Sequence, residues 1–274
     1  MSKITIKKIQ SWKNKRLFSA ITAYDFTAAK IINKSKIPIV LVGDSAAMTS
    51  YGYGTTIPIS MDEILLLARA VSRGISSSLV VGDMPFGSYQ HSVSAAVKNA
   101  TRFLKEGRVS AIKLEGGVLV QNKISKIVDY GIPVMGHVGL TPQSVNQFSG
   151  YSVQGKDLSS AQKIFDDARA VEDAGAFSVV LECIPEELAQ KITASLSIPT
   201  IGIGSGKYCD GQIQVLHDIL GLDDFCPKHA KRYLGLQSSI LSALEKYDNE
   251  VVKNKFPQKK HSTNYKSNII DKLQ

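Results

Sequence analysis

The chain lacks the features that would place it in several common classes. Its three cysteines, Cys183, Cys209 and Cys226, have no paired spacing, so neither a disulfide framework nor a zinc site is expected. No apolar run reaches the ~18 residues that a membrane-crossing helix needs, and no membrane partner is expected. The N-terminus, MSKITIKKIQSWKNKR, has no apolar core of the signal-peptide kind, which makes the cytoplasm the expected location. No GxGxxG follows the first apolar run, which counts against a dinucleotide-binding fold.

Acid is scarce at both ends. Residues 1–16 carry Lys3, Lys7, Lys8, Lys13, Lys15 and Arg16 with no acid, and residues 250–274 carry six lysines against Glu250 and Asp271. The net charge of +9 therefore leaves the middle of the chain close to neutral. A nucleic-acid face needs a basic stripe with stacking aromatics on a folded surface. Two solvated basic ends, and no nucleic-acid partner, are expected instead.

What is present is a repeated ending. Asp44 in PIVLVGD, Asp83 in SSLVVGD, Glu115 in SAIKLE and Glu182 in FSVVLE each close a short apolar run that reads as a strand. A buried charge without a partner is expensive. Four such endings in one domain point to strand ends converging on a single polar site.

Strand and helix patterns alternate from residue 17 to about 240. LFSAITAYD, the runs ending at Asp44, Asp83 and Glu115, IPVMGHVG, FSVVLEC and IPTIGIG read as seven strands. An eighth is expected near Leu222 to Cys226. Between them lie helical patterns, among them MDEILLLARAVSRG, where Ser60 and Glu63 have the spacing of a capping box and Gly74 supplies a stop. Such alternation with short connections implies a parallel sheet, and about 250 residues suit a single-domain (β/α)8 barrel. The expected organisation is a barrel over 1–250, including the basic N-terminal segment, and a Lys-rich, partly disordered tail over 251–274.

In such barrels function collects where the strands end. Side chains alternate along a strand, so Lys113 and Glu115 share a side, as do Val42 and Asp44, and Val81 and Asp83. Two or three hard carboxylate oxygens suit Mg²⁺. Zinc prefers His or Cys, and His137 in VMGHVG is the one strand-end histidine. A lone histidine is as readily a satisfied core residue as a catalytic one. GIGSGK (202–207) has the look of a phosphate-cradling loop, but Tyr208 stands where a P-loop needs Ser or Thr, and close backbone packing explains its glycines equally well. Tyr51 and Tyr53 either close over a ligand or pack their own glycine-rich loop.

The segments TAYD (22–25), VGDS (42–45), KLEGG (113–117), GHVGLTPQSVNQFSGYSVQGK (136–156), LECIP (181–185) and GIGSGKYCDGQIQVLHDILG (202–221) together resemble the 3-methyl-2-oxobutanoate (ketopantoate) hydroxymethyltransferase family. The resemblance spans roughly residues 3–260, and LTPQSVN and DGQI carry most of its specificity. It implies a Mg²⁺-dependent (β/α)8 barrel that transfers a one-carbon unit from 5,10-methylenetetrahydrofolate to 3-methyl-2-oxobutanoate, forming 2-dehydropantoate in pantothenate biosynthesis. It implies Asp44 and Asp83 as metal ligands, with Glu115 a further ligand through water. Asp44, Ser45, Asp83 and Lys113 are implied as substrate contacts, Glu182 as the catalytic base, His137 as an auxiliary group, and a homodecamer as the assembly. The chain departs from the family pattern at Ala46 and Ala47, at Ser205 in place of Ala, and at Phe148 and Ser149 leading into Gly150. The alternative is a Mg²⁺-dependent 2-oxo acid lyase or mutase of the phosphoenolpyruvate mutase and isocitrate lyase type, which leaves LTPQSVN and DGQI unexplained. A non-catalytic scaffold with basic ends leaves the carboxylate set unexplained.

Overall fold

Eight short strands close into a barrel in the computed structural model of the chain, which describes residues 3–148 and 150–264. Ser149 and residues 265–274 of the Lys-rich tail lie outside the described residues. The strands are β1 (Phe18–Thr22), β2 (Ile39–Val42), β3 (Leu79–Asp83), β4 (Ala111–Glu115), β5 (Val134–Gly139), β6 (Ser178–Glu182), β7 (Thr200–Ile203) and β8 (Gly211–Gln214). Every neighbour pair is parallel, and β1 pairs with both β2 and β8, so the sheet has no edge. Strands covered on both faces read as unbroken apolar runs, and IVLV of β2 is buried at every position.

The expected helices form for the expected reasons. Ser60 accepts the N–H of Glu63, and the Glu63 carboxylate accepts the N–H of Ser60, which starts helix Met61–Gly74 with a complete capping box. Helix Val93–Lys105 buries Ala96, Ala100 and Phe103 along one face.

Two expectations need correction. The eighth strand is Gly211–Gln214, whereas 222–226 is bend and irregular chain. The reason is a break in the alternation: the connection from β7 runs only from Gly204 to Asp210 and contains no helix. The N-terminal segment is also not simply a solvated basic end. Thr5 caps a helix at Ile6–Gln10, and Ile9 and Trp12 are buried in one cluster with Phe18, Ile39, Leu79, Ala111 and Phe177. These neighbours lie where strands begin. Ile4 donates to Ser77 O at 2.7 Å, just ahead of β3. Lys13 Nζ reaches Thr193 O at 2.7 Å and Asp210 Oδ2 at 2.9 Å, next to the start of β8. The segment thus covers the barrel end opposite the strand-end carboxylates.

By internal contacts the chain forms two units. One runs to Leu216 and includes Pro227–Ala230, and it holds the whole barrel. The other comprises His217–Cys226 and the described residues from Lys231 onward. Within it, helix Leu236–Val252 buries none of its residues, and Tyr247 meets Phe256 edge-on at 5.7 Å between ring centres.

Candidate active site

Strand register brings the sequence-selected residues together. Parallel pairing sets Asp83 beside Lys113, Glu115 beside His137 and Gly139 beside Glu182. His137 lies two residues before Gly139, so by strand alternation it faces the same side as Glu182. Asp44 stands two residues beyond the end of β2, and its N–H donates to Asp83 Oδ2 at 3.2 Å. Asp44, Asp83, Lys113, Glu115 and His137 are all buried, and Glu182 is half-buried.

Lys113 is the hub. Its Nζ donates to Asp83 Oδ1 at 2.7 Å and to Asp83 Oδ2 at 2.9 Å, and lies 3.8 Å from Glu115 Oε1. His137 is held between two glutamates, with Nδ1 3.3 Å from Glu115 Oε1 and Nε2 3.1 Å from Glu182 Oε2. Those distances are ionic, but neither N–H points along the contact as a hydrogen bond requires. Glu115 Oε1 consequently has no hydrogen-bond donor although it is buried.

The electrostatics follow from this packing. Burial pulls Lys113 down, yet the carboxylates of Asp83, Glu115 and Asp44 outweigh it and hold the ammonium above its ordinary range. Burial and Lys113 pull His137 down, and the flanking Glu115 and Glu182 outweigh them and push it up to about 9. Burial pushes Asp83 up to about 7 although Lys113 pulls the other way. Burial and the nearby Glu115 push Asp44 up as well. Four carboxylates thus face only two cationic groups. Burial with too little counter-charge is what raises Asp44 and Asp83, so a divalent cation placed among these acids is stabilising.

The donor set fits that cation. Its hard oxygens suit Mg²⁺, which keeps several waters and takes one or two protein carboxylates. Among the described residues no three His, Cys, Asp or Glu side chains are grouped to hold an ion unaided. Of the three expected ligands, Asp83 has both oxygens on Lys113, while Asp44 and Glu115 each have one oxygen without a hydrogen-bond donor among the described residues. Ser45, expected as a substrate contact, bonds Tyr24 Oη through its hydroxyl at 2.8 Å. A Cβ placed on Gly43 would meet Ser45 Oγ at 2.8 Å and Asp83 Oδ2 at 3.8 Å, so Ser45 adjoins the cluster.

Two side chains that carried no role in the sequence are integral here. Gln143 donates from Nε2 to Asp44 Oδ2 and to Met84 O, both at 2.9 Å, and its backbone N–H donates to Glu115 Oε2 at 3.1 Å. Tyr89 accepts the Glu115 N–H at 3.2 Å and donates to Gln143 Oε1 at 2.8 Å. Gln143 sits inside the LTPQSVN segment, but no spacing rule marks a single glutamine in a loop. Ser205, a departure from the family pattern, is fully buried and donates to Leu181 O at 2.8 Å. It also accepts the Ile184 N–H at 3.3 Å, which ties its loop to both sides of Glu182.

The GIGSGK loop is close packing. Gly204 and Gly206 have φ of +65° and +74°, conformations that favour glycine. A side chain at either would run into Cys183 and His229, or into Glu186. The loop leads into β8, not into a helix N-terminus of the kind that binds phosphate. Tyr51 and Tyr53 are exposed and pack edge-on at 6.4 Å between ring centres.

Comparison with known proteins bears on the chain as a whole. A family model described as ketopantoate hydroxymethyltransferase matches residues 3–259. A 3-methyl-2-oxobutanoate hydroxymethyltransferase from Dehalococcoides mccartyi is 50% identical over 271 residues, covering 98% of this chain and 97% of the relative. The protein of the same name from Carboxydothermus hydrogenoformans is 50% identical over 275 residues and 100% of both chains. That from Campylobacter jejuni is 52% identical over 263 residues and 95% of both. Among solved structures, phosphonopyruvate hydrolase matches with a TM-score of 0.62 at 14% identity, covering 99% of this chain and 94% of that one. A 2,3-dimethylmalate lyase of the PEP mutase/isocitrate lyase superfamily matches at 0.61 and 16%, covering 96% and 89%. At such identities these two show a shared barrel fold and nothing about chemistry.

Proposed function

The chain belongs to the ketopantoate hydroxymethyltransferase family and is an enzyme of that class; on this premise we propose how its strand-end cluster performs the reaction. The substrates are 3-methyl-2-oxobutanoate and 5,10-methylenetetrahydrofolate, and the product is 2-dehydropantoate, an intermediate of pantothenate biosynthesis. The observation that carries the reading is the excess of buried carboxylate over cation at the ends of β3, β4 and β6, with Asp44 beside them.

Asp44 and Asp83 would hold Mg²⁺, with Glu115 supporting it through water. The ion supplies Lewis acidity toward the carboxylate and keto oxygens of the oxo acid. Lys113, kept protonated by its acidic neighbours, adds a fixed positive charge next to that region, where negative charge grows when a proton is lost. Ser45 and Asp83 contact the oxo acid from the β2 and β3 ends. Glu182 takes the C3 proton, and the electron pair of the broken C–H bond becomes the enolate. His137 Nε2, 3.1 Å from Glu182 Oε2, holds that carboxylate in place by charge. Water adds to the methylene carbon of the folate and its two C–N bonds break, so that tetrahydrofolate leaves with the two water protons and the carbon is released as formaldehyde. The enolate carbon attacks that carbon, the C=O pair becomes an alkoxide, and the proton held by Glu182 completes the hydroxyl.

The proposal includes a homodecamer, carried by the family resemblance, and a cytoplasmic location, which cysteines without paired spacing support. No helix among the described residues is long and apolar enough to cross a membrane.

The test is direct. Purified protein with Mg²⁺, 3-methyl-2-oxobutanoate and 5,10-methylenetetrahydrofolate is expected to form 2-dehydropantoate, with no product when the folate is omitted. Product no higher than in an enzyme-free control contradicts the function. Turnover of the oxo acid without folate favours the lyase or mutase alternative.

A further inference from the structure

Two of the carboxylates share an arrangement that the reaction scheme leaves unexplained. Asp44 Oδ2 accepts from Gln143 Nε2 at 2.9 Å, and Asp44 Oδ1 has no donor among the described residues. Glu115 Oε2 accepts from Gln143 N at 3.1 Å, and Glu115 Oε1 is buried without a hydrogen-bond donor. One residue therefore occupies one oxygen of each acid and leaves the other. We infer that Gln143 is a positioning residue for the metal site, binding one oxygen of Asp44 and one of Glu115 and so turning the other oxygen of each toward cations. Glu115 Oε1 already faces His137 Nδ1 at 3.3 Å and Lys113 Nζ at 3.8 Å. This rests on the reading of Asp44 and Glu115 as acids that serve Mg²⁺.

The glutamine is itself fixed. Its amide nitrogen faces two acceptors, Asp44 Oδ2 and Met84 O, each at 2.9 Å. Its amide oxygen faces two donors, Tyr89 Oη at 2.8 Å and Gln90 Nε2 at 3.2 Å. A flipped amide would set oxygen against two acceptors, so a single orientation satisfies all four partners. Gln143 is 3% exposed, and its nearest polar neighbour Tyr89 is 1% exposed, so water does not compete for these bonds. Tyr89 also accepts the N–H of Glu115 at 3.2 Å, which joins the β4 end to the same network. A neutral donor suits this place. A third cationic side chain would raise the positive charge of the pocket and work against a metal ion, whereas an amide orders Asp44 without neutralising it.

The inference is tested with full-length protein, without substrates, by titrating Mn²⁺ and reading the free ion by electron paramagnetic resonance. Gln143→Met keeps length and apolar volume and removes the amide. Its Mn²⁺ affinity is expected to fall about 10–100-fold, the usual loss when a residue that orients a metal ligand is removed. Its kcat at saturating metal is expected to recover most of the wild-type value, with the shift confined to the metal concentration for half-maximal rate. A mere packing defect lowers kcat at every metal concentration, and that result overturns the inference. Tyr89→Phe, which removes one anchor of the amide, is expected to weaken Mn²⁺ about fivefold, and it serves if Gln143→Met does not fold. Wild-type affinity in either folded variant, with weakened affinity in Asp44→Asn, overturns the role of Gln143 alone. Wild-type affinity in Asp44→Asn as well overturns the metal reading with it.

Discussion

Glu182→Gln is expected to slow exchange of the C3 proton of 3-methyl-2-oxobutanoate by about 10²–10⁴-fold, the usual contribution of a positioned general base. Metal affinity is expected to stay near that of the wild type. Glutamine keeps the shape and a contact to His137 but has no basic oxygen at neutral pH. The other three acids are engaged within the cluster: Asp83 has both oxygens on Lys113, and Asp44 and Glu115 each have one oxygen on Gln143. Glu182 is the one of the four that is not fully buried, with 16% of its side chain exposed. Exchange of deuterium from solvent, followed by proton NMR, reads the effect. Exchange in Glu182→Gln at the wild-type rate assigns the base to another group.

Lys113→Met is expected to cost about 3–5 kcal/mol of folding stability without metal, because removing one partner of a buried ion pair leaves the other charge uncompensated. The pair is buried on both sides, with 5% and 2% of the two side chains exposed. The lysine also faces Glu115 at 3.8 Å, so the loss touches more than one acid. Saturating Mg²⁺ is expected to recover part of the stability by binding the folded state, about 2.7 kcal/mol at a hundredfold excess over its dissociation constant. Urea denaturation with and without Mg²⁺ measures both effects. A variant as stable as the wild type without metal contradicts the view of Lys113 as the cation that this cluster depends on.

The convergence of the site is legible in the sequence because a strand carries a simple period. Alternation sets Lys113 with Glu115 on one side, and a parallel barrel gathers its strand ends at one mouth. The pairings across strands are a different matter. That Asp83 meets Lys113 and Glu115 meets His137 depends on register, which no residue of either strand announces alone. Gln143 was hidden for a related reason: its partners Asp44, Met84 and Glu115 are distant in sequence, and a loop has no period to reveal a buried side chain. Trp12 and Ile9 were masked by the lysines around them, since a basic stretch with two apolar anchors reads as solvated until the barrel end they cover is known. The eighth strand escaped because GQIQ has two half-buried glutamines and follows β7 with no helix between. The division of labour among the acids rests on the family resemblance, because spacing alone does not provide it.

The central claim is that the buried acids gather a divalent cation and one of them removes a proton from the oxo acid. It is tested most directly with wild-type protein and 3-methyl-2-oxobutanoate in deuterated water, with no folate present. The C3 proton is expected to exchange when Mg²⁺ is present and to stop exchanging when the metal is removed by chelation. Exchange that continues unchanged after chelation, or no exchange with Mg²⁺ supplied, contradicts the account.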